Sequence, residues 1–253
     1  MPQARTRAFV LGQWRSGEQD KRVHLLSREH GRMRALAPGA CRMKNRFGAT
    51  LELFTEADFL YYFKEDRGQV TLSRADPIKS RFDLISRSEW IFYFSLMSEA
   101  LVRFLPLCQT EERAYRMVGA VLDAAEKGAR PAVLTIYFLA WLLRIQGTMF
   151  RPDQCFRCRR EALTEAWVRD NFRGLACREC RTGEAMHLNG EILGSLAWIG
   201  KNPPDAPPPC PMKTPRYCCV CWPANWNTTA NSPSHPPAAS RNSGSVWGRI
   251  TNL

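Results

Sequence analysis

Histidine is scarce in this chain, at four residues in 253, and His24, His30, His187 and His235 share no spacing that would pair them as metal ligands or as the base of a nucleophile. No GxxxxGK[ST], GxGxxG or HExxH run occurs, so the loops that cradle nucleotide phosphates and the helix that carries a protease zinc are both missing. The acidic pairs Glu65/Asp66 and Glu111/Glu112 fall at a turn and at a helix start. Nothing nominates an active site, and a non-enzymatic binding protein is expected. Long apolar runs are also missing. The longest, Ala132 to Leu143, has 12 residues, against roughly 20 for a bilayer span. The opening MPQARTRAFVLGQ has no apolar core of a secretion signal. A soluble, cytoplasmic protein with reduced thiols is therefore expected.

Acidic residues are rare at the front of the chain. Residues 1–48 hold 11 Lys/Arg and 3 Asp/Glu, a surplus of +8 out of +12 overall, whereas residues 49–148 balance to −1. Such a cluster suggests a face for a polyanion, bound by release of its counterions. The plainer alternative is a solvated basic surface.

Cysteine is present in a pattern. Cys155, Cys158, Cys177 and Cys180 form CxxC, 18 intervening residues and a second CxxC. Two such knuckles can close a tetrahedral S4 cage, the arrangement of a zinc ribbon. Two disulfides, a redox pair or an iron–sulfur site use the same residues. Disulfides need an oxidising compartment, and a redox CxxC normally opens a helix beside a βαβ unit, whereas this one follows GTMFRPDQ. Four cysteine ligands leave no open position, so the expected zinc is structural.

Between these features the periodicity changes once. Residues 7–11, 23–27, 32–37, 49–54, 58–63 and 69–73 read as short strands, with turns at 16–20, 29–31 and 64–68. Five or six strands in about 70 residues without helices imply a small barrel, with an OB-fold the natural candidate. From Asp83 to Leu105 apolar residues fall at helical spacing. A second helix is expected after an N-cap at Thr110, ending at Gly128, and a third from Pro131 to about Ile145, followed by a short helix over Leu188–Ile199. The expected fold is α+β, with an OB-fold at 1–80, a helical domain at 81–200 carrying the ribbon at 153–182, and a disordered Pro-rich tail at 201–253. Cys210, Cys218, Cys219 and Cys221 in that tail could form a second metal site. Alternatively the tail is an out-of-frame translation.

The segment SREHGRMRALAPGACRMKNRFGATLELF from Ser27, the LLRIQG before the cysteines and the CxxC pair together resemble the RecO family of bacterial recombination mediators, over about residues 5–199. Pro38 stands where that family commonly has Lys and Cys41 where it has Arg, and its closing helices are not recognisable beyond Ile199. The resemblance implies binding of single- and double-stranded DNA and annealing of complementary strands without ATP. It also implies action with RecR to load RecA onto DNA coated by single-strand-binding protein, whose acidic C-terminal tail is a further partner, in the cytoplasm at the nucleoid. A zinc-stabilised adaptor without DNA binding is the alternative.

The residue-level reading places the DNA site on Arg5, Arg7, Arg28, Arg32, Arg34, Arg42, Lys44 and Arg46, with Phe47 as a stacking surface and Arg15 extending the groove. Arg157, Arg159, Arg160, Arg169, Arg173 and Arg178 of the ribbon could add a second contact.

Overall fold

A computed structural model describes residues 3–64, 69–168, 174–183 and 185–206. Residues 65–68 of the turn expected at 64–68, the ribbon residues Arg169 and Arg173, and the tail from residue 207 with its four cysteines lie outside the described residues.

Five strands, β1 (Gln3–Ser16), β2 (Asp20–Ser27), β3 (Gly31–Ala37), β4 (Glu56–Lys64) and β5 (Gln69–Lys79), close into a barrel in the order β1-β2-β3-β5-β4. All neighbours are antiparallel except β3 and β5, and β4 returns to β1 to close it. This is the OB-fold arrangement. Alternation fills the inside: Ala8 and Val10 of β1, Val23 and Leu25 of β2, and Met33, Ala35 and Ala37 of β3 share one core with Phe59, Tyr61 and Leu72. The strand expected over 49–54 is instead a 3-10 turn, Gly48–Leu51, which brings Phe47 and Leu51 into that core. β1 and β5 run well past the short apolar stretches that announce them, because charged and hydroxyl residues occupy their solvent faces.

The outer face of β1 and β2 is apolar at one end, and this is where the helices sit. Phe9, Leu11 and Leu26, with Phe54, join a second core with residues of α2 (Ser88–Phe104), α3 (Glu112–Glu126) and α4 (Pro131–Ile145). The run AFVL at 8–11 is thus buried on both faces. The span expected as one helix from Asp83 is broken into a single turn, α1 (Phe82–Ile85), and α2, whose Trp90, Phe94, Met97 and Leu101 are buried at helical spacing. α3 stops at Glu126, with Lys127 as C-cap and Gly128 at φ +89° just after it, and α4 starts on Pro131. The N-cap of α3 is Glu111. The expected cap, Thr110, instead donates its hydroxyl to the Glu29 carbonyl at 2.6 Å.

That contact belongs to a clamp between the β2–β3 turn and residues 105–110. Arg32 Nε donates to the Leu105 carbonyl at 2.7 Å, and the Cys108 N–H donates to the Arg32 carbonyl at 2.8 Å. Gly31 has φ +65°, and a Cβ there would lie 1.8 Å from the Gln109 carbonyl oxygen. Gly31→Ala is therefore expected to lower stability by more than the roughly 1 kcal/mol of a positive φ alone, read as a drop in thermal midpoint. The clamp closes one end of the barrel and leaves the other, with the β1–β2 hairpin, open.

The ribbon follows α4. Three short strands, β6 (Ala166–Val168), β7 (Leu175–Ala176) and β8 (Met186–Leu188), form a sheet in the order β7-β6-β8. The helix expected from Leu188 begins at Gly190: Leu188 ends β8, and the Asn189 side chain caps α5 (Gly190–Ile199) by accepting from the Ile192 N–H at 2.9 Å. No described helix is long and apolar enough to cross a membrane.

Candidate nucleic-acid interface and metal centre

Four sulfurs meet in the ribbon. The Sγ atoms of Cys155, Cys158, Cys177 and Cys180 all lie within 4.8 Å of one another, and Cys158 and Cys177 approach to 3.7 Å. A disulfide needs an S–S distance of about 2.0 Å, whereas four sulfurs at about 2.3 Å from a shared zinc stand about 3.8 Å apart. The thiols are free. Two turns shape the cage: Arg159 N–H closes one knuckle on the Cys155 carbonyl, and Cys180 N–H closes the other on that of Cys177. Burial opposes ionisation of Cys155, yet the backbone N–H groups of Cys158, Cys177 and Arg157 outweigh it and bring the thiol down to about 6. Hydrogen bonding to Cys177 and Cys158 pushes Cys180 up to about 12, because thiols so close cannot all ionise without a cation among them. The donor set and its spacing fit a metal ion held by four cysteines.

The basic residues expected to form one groove divide into three groups. Arg32 is a correction: it is 8% exposed, turned towards the helices and spent on the Leu105 carbonyl, so it is not available to a phosphate. Arg5, Arg7 and Arg28 are exposed but paired. Arg5 and Arg7 both face the Asp58 carboxylate, at 2.7 and 3.6 Å, and Arg28 reaches Glu112 of α3 at 3.3 Å.

The third group is Arg34, exposed on the outer face of β3, and Arg42, Lys44 and Arg46 in the loop after it, at the end of the barrel with the β1–β2 hairpin. Among the described residues none of them makes an ion pair. Arg42 Nε donates to Gln19 Oε1 at 2.9 Å, tying the 38–46 loop to the tip of the β1–β2 hairpin. The Cys41 N–H donates to the Gln19 carbonyl, and the Gly39 N–H occupies the Asp20 carboxylate. Arg42, Lys44, Asn45 and Arg46 line a groove of about 340 Å³ with Asp20, Pro38 and Gly39.

Phe47 is the second correction. It is 1% exposed, pointing into the barrel with the Arg46 guanidinium 5.1 Å above its ring, so no base can stack on it. The residue that sequence reasoning passed over is Trp14. It stands 43% exposed on the outer face of β1, beside the same hairpin.

Beneath Trp14 lies His24, 8% exposed and edge-on to the indole at 4.5 Å. Burial, with the Arg32 and Arg34 guanidiniums near it, lowers the imidazole to about 4. The folded protein then holds His24 neutral while the unfolded chain protonates it near 6.5. Its contribution to stability is complete above that value and is lost as pH falls towards 4. The thermal midpoint is expected to drop across that window, and His24→Gln to flatten that part of the profile.

Two family models match the chain: "Recombination protein O N terminal" over residues 1–81 and "Recombination protein O C terminal" over residues 89–206. The chain is similar to the DNA repair protein RecO of Caldicellulosiruptor saccharolyticus, 23% identical over 195 residues that cover 77% of this chain and 79% of that protein. It is also similar to the DNA repair protein RecO of Bifidobacterium animalis subsp. lactis, 32% identical over 158 residues, 61% of this chain and 65% of that one. With the DNA repair protein RecO of Cutibacterium acnes the identity is 26% over 211 residues, covering 78% and 81%.

Proposed function

Because this chain belongs to the RecO family, with a role in DNA repair and recombination, we propose that it binds single- and double-stranded DNA at the open end of its OB barrel and anneals complementary strands without ATP. The observation that carries this reading is that Arg42, Lys44 and Arg46 line one groove beside the β1–β2 hairpin, with Arg34 exposed on the strand that leads into it, none of them ion-paired among the described residues. Cations that reach only phosphates leave base edges free, so two coated strands repel each other less and can still pair. No step of this process needs a nucleophile or a general base, and the protein is read as a mediator without catalysis.

The cysteine cage is proposed to hold one zinc ion. Such an ion staples the ribbon to the rest of the helical domain and takes no part in chemistry, since four thiolates fill its coordination. RecR and the acidic tail of single-strand-binding protein are the proposed protein partners in loading RecA. A groove of about 380 Å³ supports the second of these by setting Arg144 and Lys201 beside Met149 and Phe150, although Arg151 in its wall is already paired with Asp153 at 3.3 Å.

Titrating a labelled single strand across salt concentrations tests the reading. Affinity is expected to fall with a log–log slope of about −0.7 for each phosphate neutralised. Absence of binding at low salt would overturn it and favour an adaptor that works through protein contacts alone.

A further inference from the structure

The outer face of β1, β2 and β3 carries two cross-strand rows at the open end of the barrel. Register places Trp14 opposite Arg22 and Arg22 opposite Leu36, and in the next row Gly12 opposite His24 and His24 opposite Arg34. Trp14 reaches this face because a bulge between Val10 and Gly12 reverses the alternation of β1. Upstream of it the even residues Ala8 and Val10 fill the barrel, and downstream Trp14 faces outwards.

The indole is held in place from below. His24 meets it at 83° between ring planes, and the neutral imidazole is buried beneath it, so the ring is fixed before any ligand arrives. Gly12, with no side chain, keeps the neighbouring register position low. The exposed Arg22 and Arg34 side chains share the face without an ion-pair partner among the described residues. One edge of this patch runs into the loop carrying Arg42 and Lys44, since Lys21 is paired with Ala37.

A fixed, exposed aromatic face between cations, continuous with a basic loop, matches the chemistry of one unpaired base and its flanking phosphates. We infer that Trp14 is the base-stacking platform of this protein and that it gives the surface its preference for single-stranded over duplex nucleic acid. The inference rests on the proposed nucleic-acid binding. Stacking needs an unpaired base, whereas the arginines serve phosphates of either form.

Fluorescence anisotropy on the full chain, with a labelled oligothymidylate and a duplex of equal length, tests it. Trp14→Leu keeps an apolar side chain at an already exposed position but has no π-face. It is expected to weaken single-strand binding by roughly 5- to 150-fold, the loss of one stacked base. Duplex affinity and the salt slope are expected to stay as they are. Trp14→Phe is expected to recover most of the loss. Equal loss for both ligands, or single-strand binding by Trp14→Leu as tight as that of the unaltered protein, overturns the inference while leaving nucleic-acid binding intact. Failure of the unaltered protein to bind the oligothymidylate at low salt overturns both together.

Discussion

Exchanging Arg34, Arg42, Lys44 and Arg46 for glutamine in one protein is expected to make the log–log salt slope of single-strand binding shallower by about 2.8, four phosphates at about 0.7 each. At about 0.1 M salt the same four contacts are worth two to three decades of affinity. Glutamine keeps the aliphatic stem to Cδ and a polar end, and all four positions are exposed, so loss of packing is a minor part of the effect. The corresponding exchange of Arg5, Arg7 and Arg28 is expected to do much less. Each of those cations already faces a carboxylate, Asp58 or Glu112, which must be given up before a phosphate can replace it. The comparison separates a located binding surface from a general effect of net charge, since the two sets differ by one charge. Equal slopes for the two variants would mean that the open end of the barrel has no special part in binding.

The second large effect is expected at the cysteines. Cys155→Ser or Cys177→Ser should abolish binding of one metal ion per chain and unfold the ribbon. The four sulfurs lie within 4.8 Å of one another, a spacing at which they cannot all be thiolates unless a cation sits among them. The core that would have to hold the ribbon without a metal is small: Ala166, Val168, Leu175, Leu188 and Leu193 are its buried side chains. At roughly 1.5–3 kcal/mol for each of the four larger residues they supply about 6–12 kcal/mol before the cost of ordering the chain, against the roughly 10–16 kcal/mol that a structural zinc contributes to a small domain. Atomic-emission analysis and limited proteolysis between residues 150 and 190 check the two parts. Freshly purified protein without metal, or a proteolysis pattern unchanged by the serine variants, would contradict this. The barrel, with its own core, is expected to survive the loss.

The cage and the barrel were legible in the sequence for different reasons. Cysteine spacing states its own chemistry, because two CxxC knuckles are a local geometry that needs no knowledge of the rest of the chain. The barrel follows from many short β-rich runs divided by turns. What a linear reading does not contain is which side of a strand faces inwards. Phe47 sits beside Arg46 in sequence and looks like part of a basic, aromatic surface, yet the 3-10 turn after it directs the ring into the core. Arg32 and Arg34 alternate on one outer face, but the helices cover only the first. Trp14 was hidden by the reverse problem. A strict period of two places it inside with Ala8 and Val10, and only the bulge moves it out. Ion pairing is equally non-local, since Arg28 meets a carboxylate 84 residues away.

Nucleic acid is expected to touch the protein at one place, the β1–β2 hairpin and the loop that follows β3. Ultraviolet cross-linking of a single-stranded oligonucleotide to the full chain, with the attached peptides identified by mass spectrometry, reads this without mutation. Adducts confined to the strand with Trp14 and the segment from Arg34 to Arg46 are the expected result. Adducts concentrated instead around Arg5, Arg7 and Arg28, or on the ribbon, would contradict it.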